Sequence, residues 1–226
     1  MVKIGVLTEL LFPRRCFGCG KEGSWLCPPC EENLPRAKSS VCPSCAKACF
    51  SGFTHPGCLS SLDGLWSAFF YRKEVKKIVS SFKFSMIKEL SSLMAGLMMK
   101  ELRSTRLFLY WRKNNFVIVP LPIHPRRYLW RGFNQAELLA KNLANDLSLG
   151  YDGKILFRQK LAPPQTKLSS EKRKENIKDQ FATKKRLRGN LILVDDVWTT
   201  GSTLKEAAKT LKKSGANLVW GVTFCR

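Results

Sequence analysis

The sequence predicts an α/β protein with an open, mostly parallel β-sheet flanked by helices, and a small cysteine-rich domain at the N-terminus. Runs of consecutive apolar residues at 191–194 and 218–224 are typical of strands buried on both faces of a parallel sheet. Segments between such runs repeat apolar residues at helical spacing, as in 204–211. Eight of the nine cysteines fall between Cys16 and Cys58, ahead of the first predicted strand.

The chain is long enough, at 226 residues with 44% hydrophobic residues, to bury a substantial core. We expect a cysteine-rich domain over residues 1–62 and a larger α/β domain over residues 63–226. Because no uninterrupted apolar stretch reaches about 18 residues, no membrane span is expected. The first residues are only briefly apolar and include Glu9, which argues against a secretory signal. We therefore expect a cytoplasmic protein.

The chain is strongly basic, with 39 Lys and Arg residues against 17 Asp and Glu and a formal net charge of +22. The excess is concentrated in residues 154–188, which contain twelve basic and three acidic residues. Such an excess favours a polyanionic partner, and single-stranded DNA is the first to consider. A highly charged, solvated surface that binds no polyanion stays open as the alternative.

The cysteine-rich segment contains three Cys-x2-Cys pairs and one His-x2-Cys pair. Because each pair can present two ligands to one tetrahedral zinc ion, two pairs complete a site. Taken in order, the pairs predict two closed, structural zinc sites, formed by Cys16, Cys19, Cys27 and Cys30 and by Cys42, Cys45, His55 and Cys58. A cross-braced pairing and a replacement of His55 by Cys49 stay open. A disulfide framework is the competing interpretation, but such frameworks belong to exported proteins.

Residues 65–98 are predicted to form scaffold, and the elements around the proline-rich loop follow them. Strands are expected at 65–71 and 116–119, and helical spacing is seen at Val75, Ile78, Val79 and Phe82 and at Leu90, Leu93, Met94, Leu97 and Met98. A further helix is expected after Asn134, which forms a capping box with Glu137, and its apolar stripe runs to Leu147. Lys83 is expected near a turn, where its ammonium group can contact a phosphate.

A proline-rich loop follows the strand at 116–119. Pro120, Pro122 and Pro125 are expected to exclude regular structure from residues 120–127 and to fix the backbone path. A loop fixed in this way can hold cations toward a ligand with little ordering cost. The cations available there are His124, Arg126, Arg127 and Arg131. Ligands of open parallel sheets bind outside the carboxyl ends of the strands, which is where this loop lies.

The stretch LILVDDVWTTGST, residues 191–203, combines a strand, two carboxylates and a hydroxyl-rich turn that leads into a helix. Free N–H groups at a helix start and nearby hydroxyls favour a phosphate. Asp195 and Asp196 suit the hydroxyls of a neighbouring sugar or the magnesium ion that accompanies a pyrophosphate. A phosphate beside a sugar diol describes a ribose 5-phosphate. An ordinary strand–helix turn that contains two acids by chance is the alternative.

This stretch resembles the phosphoribosyl pyrophosphate (PRPP) signature of type I phosphoribosyltransferases, with Trp198 in a place that is usually aliphatic. The resemblance implies a type I phosphoribosyltransferase-like fold, in which Asp195 and Asp196 face the ribose hydroxyls and magnesium accompanies PRPP. It implies that the 5-phosphate is held by Thr199, Thr200, Gly201, Ser202 and Thr203. Residues 157–170 resemble, in their placement, the mobile loop that closes over PRPP, although an exposed linker stays open. A basic helix is expected over residues 170–181.

Three further segments narrow the resemblance. VPLPIHPRR, RGFNQAELLA and PPQTKLSSEKRKENIKDQF, together with the cysteine-rich head, resemble the ComF family, whose members are associated with natural competence and DNA uptake. The resemblance covers nearly the whole chain. It implies that residues 120–127 form the pyrophosphate loop, with Leu121, Pro122, His124, Arg126 and Arg127 as its site residues. His55, in place of a cysteine, departs from the family pattern.

Three hypotheses of function follow from these patterns. The chain is a PRPP-binding protein of the competence machinery that also contacts single-stranded DNA, or an active phosphoribosyltransferase for a nucleobase or amine acceptor. The third hypothesis is an adaptor without catalysis, whose zinc head docks a partner such as a DNA-uptake helicase. The intact acid pair and hydroxyl loop favour the first two. The sequence identifies no catalytic residue and no acceptor site.

Overall fold

The computed structural model describes residues 13–85, 87–159 and 179–226. Its N-terminal head has little regular structure: a short helix α1 (Pro28–Glu32), a 3-10 turn (Phe50–Gly52) and isolated antiparallel bridges. Two of these bridges, Arg15 with Glu22 and Val41 with Ala48, each flank a Cys-x2-Cys turn. Small ribbons of this kind lack an apolar core large enough to fold by burial alone, and therefore depend on additional crosslinks or metals.

The main sheet has five strands that pair in parallel, in the order β1-β7-β6-β2-β3. Their bounds are β1 Gly64–Phe69, β2 Val117–Pro120, β3 Gly150–Tyr151, β6 Leu191–Val197 and β7 Val219–Cys225. Two short strands, β4 (Leu156–Arg158) and β5 (Phe181–Thr183), form a separate antiparallel pair. The prediction of an open parallel sheet is confirmed, and the predicted strands lie within one or two residues of the observed ones except at the end of β6, which continues three residues further.

Six helices accompany the sheet within the described residues: α2 (Lys73–Phe84), α3 (Leu90–Arg103), α4 (Leu107–Lys113), α5 (Pro125–Arg131), α6 (Gln135–Leu147) and α7 (Ser202–Lys213). Apolar residues of α2, α3, α4 and α6 pack on one face of the sheet. Those of α7 and of the β4–β5 pair pack on the other face. The prediction of helices on both faces is thus confirmed, whereas the sequence analysis did not predict α4.

Strand β6 shows how the two cores are separated. Ile192 and Val194 belong to the core on the α2–α6 face, while Leu191 and Leu193 belong to the core on the α7 face. Because successive side chains of a strand point to opposite faces, this alternation assigns the next residue, Asp195, to the α7 side and Asp196 to the α2 side.

The head is joined to the α/β part of the chain by a shared core. Leu26 and Leu34 are buried in the same cluster as Trp66 of β1. An ion pair between Arg36 Nε and Glu101 Oε1, 2.8 Å apart, adds a polar link to α3. The division of the chain into domains at residue 62 stays a prediction.

The proline-rich loop is more regular than predicted. Pro120 is the last residue of β2, and Pro125 is the first residue of α5. The expectation of no regular structure over 120–127 is therefore wrong at both ends. The physical reason is that the N–H group at the first helical position has no hydrogen-bond partner within the helix. Proline, which lacks this N–H group, therefore fits there, and its fixed φ favours the helix.

Two other predictions fall on residues 160–178, outside the described part of the chain. The proposed mobile loop lies mostly there, as does the basic helix expected over 170–181. The predicted end of that helix is wrong, because Phe181 begins β5 and its side chain is buried on the α7 face. Among the helices that the structure does describe, none has the length and apolarity needed to cross a membrane.

Candidate functional site

The site lies where the direction of the sheet reverses. The chain passes from β2 outward to β3, and from β6 in the opposite direction to β7, so the carboxyl ends of β2 and β6 meet at a topological switch point. Crevices at such points are the usual ligand sites of open α/β sheets. Leu121 N donates a hydrogen bond to Val194 O at 2.9 Å, which holds the start of the predicted pyrophosphate loop beside the acid pair.

Asp195 and Asp196 form the floor of this crevice. They lie inside β6, which continues to Val197, so the predicted end of the strand at Val194 is three residues early. The continued pairing of Asp195 with Thr223 of β7 explains the difference, since this part of the strand still has a neighbour in the sheet. The backbone of both acids is therefore fixed by the sheet.

Lys83, at the end of α2, forms an ion pair with Asp196. Its Nζ lies 2.8 Å from Asp196 Oδ1, and the side chains are 25% and 9% exposed. A carboxylate that is this buried needs a partner, because removal of its charge from water is costly. The expected role of Lys83 as a phosphate contact is not tested by this geometry, which places its ammonium group at the edge of the crevice.

The carboxyl group of Asp195 is in a different environment. Burial and the neighbouring charge of Asp196 raise its pKa to about 7, against the opposing effects of Lys83, of the Asp196 backbone N–H and of Arg158. The backbone bond is 2.8 Å long, from Asp196 N to Asp195 Oδ1. Near neutral pH this carboxyl group therefore exchanges between an acceptor and a donor of hydrogen bonds.

The hydroxyl-rich turn follows directly. Gly201 has a positive φ of 71°, and a side chain at this position would collide with the ring of Trp198. Two features therefore require glycine at position 201: the positive φ of the backbone and the close approach of the Trp198 indole. Thr200 Oγ1 lies 2.7 Å from Ser202 Oγ, and α7 begins at Ser202. Trp198, the departure from the signature, serves as the packing surface of the turn.

Among the residues predicted for the pyrophosphate loop, not all present their side chains to the crevice. Leu121 is buried in the core on the α7 face, and its carbonyl oxygen accepts a bond from Asn134 Nδ2 at 3.1 Å. His124 caps α5, because its Nδ1 accepts a bond from Arg126 N at 3.2 Å. These residues shape the loop, whereas the Arg126 and Arg127 side chains are exposed.

Two arginines interact electrostatically with the acid pair. Arg131 is buried, and burial together with the charge of Arg127 lowers its pKa, an effect that Asp196 opposes. Burial and Arg127 likewise lower the pKa of Arg158, and Asp195 opposes that shift. Two guanidinium groups and the Lys83 ammonium group thus interact with the two carboxylates, an arrangement suited to a ligand that has both hydroxyl and phosphate groups.

Sequence analysis missed Arg158. This residue ends β4, and its Nη2 donates to Gln180 Oε1 at 2.7 Å, while its guanidinium lies over the Phe181 ring. Residue 158 is far in sequence from both the loop and the acid pair, and no local motif marks it. Only the pairing of β4 with β5 places it near Asp195.

The head brings the first predicted ligand set together. The sulfur atoms of Cys16, Cys19, Cys27 and Cys30 all lie within 4.8 Å of one another, and Cys16 Sγ is 3.6 Å from Cys27 Sγ. Zn–S bonds of about 2.3 Å in a tetrahedron place sulfur atoms about 3.8 Å apart, so the set fits zinc. Burial opposes ionisation of Cys16, but N–H donors outweigh it and lower its pKa to about 6.

The second predicted set, Cys42, Cys45, His55 and Cys58, is brought together in the same way. His55 Nδ1 lies 3.4 Å from Cys45 Sγ, and its Nε2 lies 3.0 Å from Ala48 O. A proton on Nε2 satisfies that carbonyl and leaves Nδ1 available as a ligand, as in other histidine metal sites. Cys49 lies outside the group of potential ligands, and burial raises the pKa of its thiol.

Comparisons with known proteins agree with this arrangement. Residues 7–59 match the family model of the double zinc ribbon domain. The chain is 33% identical to the DNA utilization protein YhgH of Salmonella typhimurium over 89% of this chain and 90% of that protein. It is 31% identical to Competence protein F of Haemophilus influenzae over 87% of this chain and 95% of that protein.

A solved structure of adenine phosphoribosyltransferase from Saccharomyces cerevisiae is 18% identical, with a TM-score of 0.32, over 57% of this chain and 69% of that protein. At this similarity, that structure has no bearing on the ligand of the crevice.

Proposed function

Because the chain belongs to the ComF family of competence-associated proteins, we propose that it binds PRPP with magnesium and serves the uptake or use of DNA. The observation that carries the proposal is the composition of the crevice at the switch point. Asp195 and Asp196 are held in β6, Lys83 is paired with Asp196, and Arg131 and Arg158 interact electrostatically with the two acids. A pentose with a phosphate and a pyrophosphate offers partners to both kinds of group.

In this proposal each part of the site has one task. The acid pair accepts hydrogen bonds from the ribose hydroxyls, and the turn of Thr199, Thr200, Gly201, Ser202 and Thr203 holds the 5-phosphate at the start of α7. The pyrophosphate lies toward α5 and its arginines. Asp195 and Asp196 would also hold the magnesium ion that accompanies PRPP, and the ion would offset negative charge.

The Lys83–Asp196 pair explains how the site can exist without ligand. Two adjacent carboxylates in a partly buried crevice repel each other, and the ammonium group reduces that repulsion. When a cationic or hydroxyl partner binds to Asp196, Lys83 can turn toward the phosphates of the same ligand, since lysine has a flexible stem.

Two alternatives lead to different experiments. An active phosphoribosyltransferase would release pyrophosphate when an acceptor attacks the anomeric carbon, and product analysis with PRPP and candidate acceptors would detect it. An adaptor would need neither the acid pair nor the hydroxyl turn for its function. The two zinc sites are closed, with four protein ligands each, so we assign them a structural role in every case.

Calorimetric titration with PRPP and magnesium tests the proposal. Wild-type protein should bind, and the double variant Asp195→Asn and Asp196→Asn should lose binding while its circular dichroism spectrum and zinc content stay unchanged. A folded double variant that binds PRPP as tightly as wild type would contradict the assignment of the acid pair.

Contact with single-stranded DNA is the second part of the proposal. The net charge of +22 supports it, since cationic surfaces bind nucleic acid through its phosphates. Affinity for a single-stranded oligonucleotide should fall steeply as the salt concentration rises. An affinity that is independent of salt would exclude phosphate contacts as its basis.

A further inference from the structure

Helix α5 (Pro125–Arg131) has an inverted pattern of burial. Its apolar residues Tyr128, Leu129 and Trp130 are 48%, 82% and 54% exposed, while Arg131 is only 9% exposed. A helix that packs by ordinary amphipathicity does the opposite. In the described part of the chain these apolar side chains are exposed to solvent, where a partner can contact them.

Two aromatic rings lie over the buried arginine. Phe84, the last residue of α2, is 59% exposed, and its ring centroid lies 6.0 Å from that of Trp130. The guanidinium carbon of Arg131 lies 5.6 Å from the Phe84 ring and 5.7 Å from the Trp130 ring. A cation that contacts both rings holds them in place.

Arg131 is itself fixed but not fully satisfied. Its Nη1 donates to Gln135 Oε1 at 3.0 Å, at the start of α6. Its Nε has no hydrogen-bond partner among the residues that the structure describes. The arginine therefore lies under both rings and holds them in place. In the described part of the chain, no carboxylate forms an ion pair with its guanidinium group.

These rings lie at the edge of the crevice. Phe84 directly follows Lys83, whose Nζ is 2.8 Å from Asp196 Oδ1. Burial lowers the pKa of Arg131, and the charge of Asp196 opposes that shift. A planar group stacked on Phe84 or Trp130 would thus lie next to the proposed pentose site.

We infer that Phe84 and Trp130 form a stacking site for a base of single-stranded DNA at the mouth of the crevice. Aromatic rings accept the flat face of any base, and flanking cations bind the backbone. The cations are present, because α5 contributes Arg126 and Arg127 and contains no acidic residue. The inference rests on the DNA part of the proposed function and gives it a location.

The positive charge around Phe84 and α5 favours a nucleic acid as the partner of this surface. A protein and a membrane are the other partners that exposed apolar side chains can have. Aromatic residues and arginine are enriched at protein interfaces as well, so the preference for a nucleic acid rests on the charge of α5, which has three arginines and no acidic residue. A membrane surface would also attract aromatic and basic residues. Vesicles therefore serve as a direct comparison in the test.

The test measures binding of a fluorescently labelled, single-stranded oligothymidine by anisotropy at fixed salt. The double variant Phe84→Ala and Trp130→Ala should bind roughly tenfold or more weakly than wild type, the loss expected when stacking of one or two bases is removed. Phe50→Ala is the matched control, because Phe50 is an 89% exposed aromatic residue of the head. It should bind as wild type does. Trp130→Phe should retain most of the affinity, since it keeps a ring.

Titration with PRPP is run in parallel on each variant. Unchanged PRPP binding with weakened DNA binding supports the inference. Equal DNA binding by wild type and by the double variant would overturn it while the PRPP proposal stands. Wild-type protein that binds PRPP but no DNA would overturn both the inference and the DNA part of the function. Loss of binding to anionic vesicles in the double variant, with DNA binding unaffected, would assign the surface to a membrane instead.

Discussion

Lys83 Nζ and Asp196 Oδ1 lie 2.8 Å apart, so the end of α2 is held to the end of β6 by an ion pair at the edge of the crevice. The pair joins residues that are 113 positions apart in the sequence. The ion pair therefore connects the end of α2, which contains Phe84, to the part of β6 that contains Asp195 and Asp196. A perturbation of either partner should therefore affect both stability and ligand binding.

Lys83→Met should lower the free energy of unfolding by about 1–3 kcal/mol, because it leaves Asp196 buried without its partner. Urea denaturation at pH 8 measures the change. Lys76→Met, an exposed site on the same helix, should change the free energy by less than about 0.5 kcal/mol. In an Asp196→Asn background the Lys83→Met effect should shrink, and a full-sized effect there would show that the pair is not its cause.

The raised pKa of Asp195 predicts a pH dependence of stability. Its pKa is about 7 in the folded protein, against an ordinary value of 3.8, so between these values the folded state binds more protons than the unfolded state. The free energy of unfolding contributed by this group is therefore largest below about pH 4 and is lost as the pH rises through 7.

Asp195→Asn should remove this part of the pH dependence, which unfolding experiments at pH 5, 6, 7 and 8 can measure. Asp146→Asn, on the exposed face of α6, is the matched control and should leave the dependence as in wild type. If Asp195→Asn has the same profile as wild type, the carboxyl group is not protonated in the folded protein at pH 5.

Metal content distinguishes the ligands from the spare cysteine. Purified wild-type protein should contain about two zinc ions per chain, and Cys16→Ser should contain about one, since a set of three ligands binds zinc weakly. Cys49→Ser should keep about two, because Cys49 lies outside the second group. A variant Cys49→Ser that loses one zinc would instead place this thiol among the ligands.

Gly201→Ala should lower the free energy of unfolding by about 1–3 kcal/mol, because alanine is strained at positive φ and its Cβ would displace the Trp198 ring. Gly96→Ala is the control. Nothing lies near a Cβ at Gly96 of α3, so the change should stabilise the helix by about 0.5–1 kcal/mol.

The variant Gly201→Ala should also bind PRPP more weakly, as measured by calorimetry, because the turn around Ser202 shifts with the ring. Adding Trp198→Ala to Gly201→Ala should recover part of the stability, since it removes the collision but not the backbone strain. No recovery in the double variant would mean that the indole does not pack on Gly201.

The parts of the fold that depend on local pattern could be predicted from the sequence. Consecutive apolar residues at 191–194 can only be buried on both sides, and spacing alone groups the cysteines of the head. Asn134 could be recognised as a helix start, and its Oδ1 accepts from Ala136 N at 3.2 Å. Glu137, predicted to complete a capping box, forms an ion pair with Lys141 instead. At this site the pairing one turn further along the helix competes with the reciprocal cap.

The parts that depend on distant contacts could not be predicted. Arg158 approaches Asp195 only because β4 pairs with β5, and Lys83 reaches Asp196 only because α2 ends above β6. Helix α4 begins with aromatic and branched residues that favour strands as much as helices, so its packing decides its structure. Arg131 is buried beneath two exposed aromatic rings, which is the reverse of the usual burial of apolar side chains and exposure of charged ones. Hydrophobic patterning therefore could not predict it.

The imidazole of His55 changes the electrical character of the head. Four thiolates around a zinc dication leave two negative charges on the cluster, whereas three thiolates and a neutral ring leave one. A zinc ion on Nδ1 would leave the proton of His55 on Nε2, which lies 3.0 Å from Ala48 O. With zinc bound, the site that contains His55 would therefore have one negative charge fewer than the site of four cysteines, and this difference follows from the one histidine among the predicted ligands.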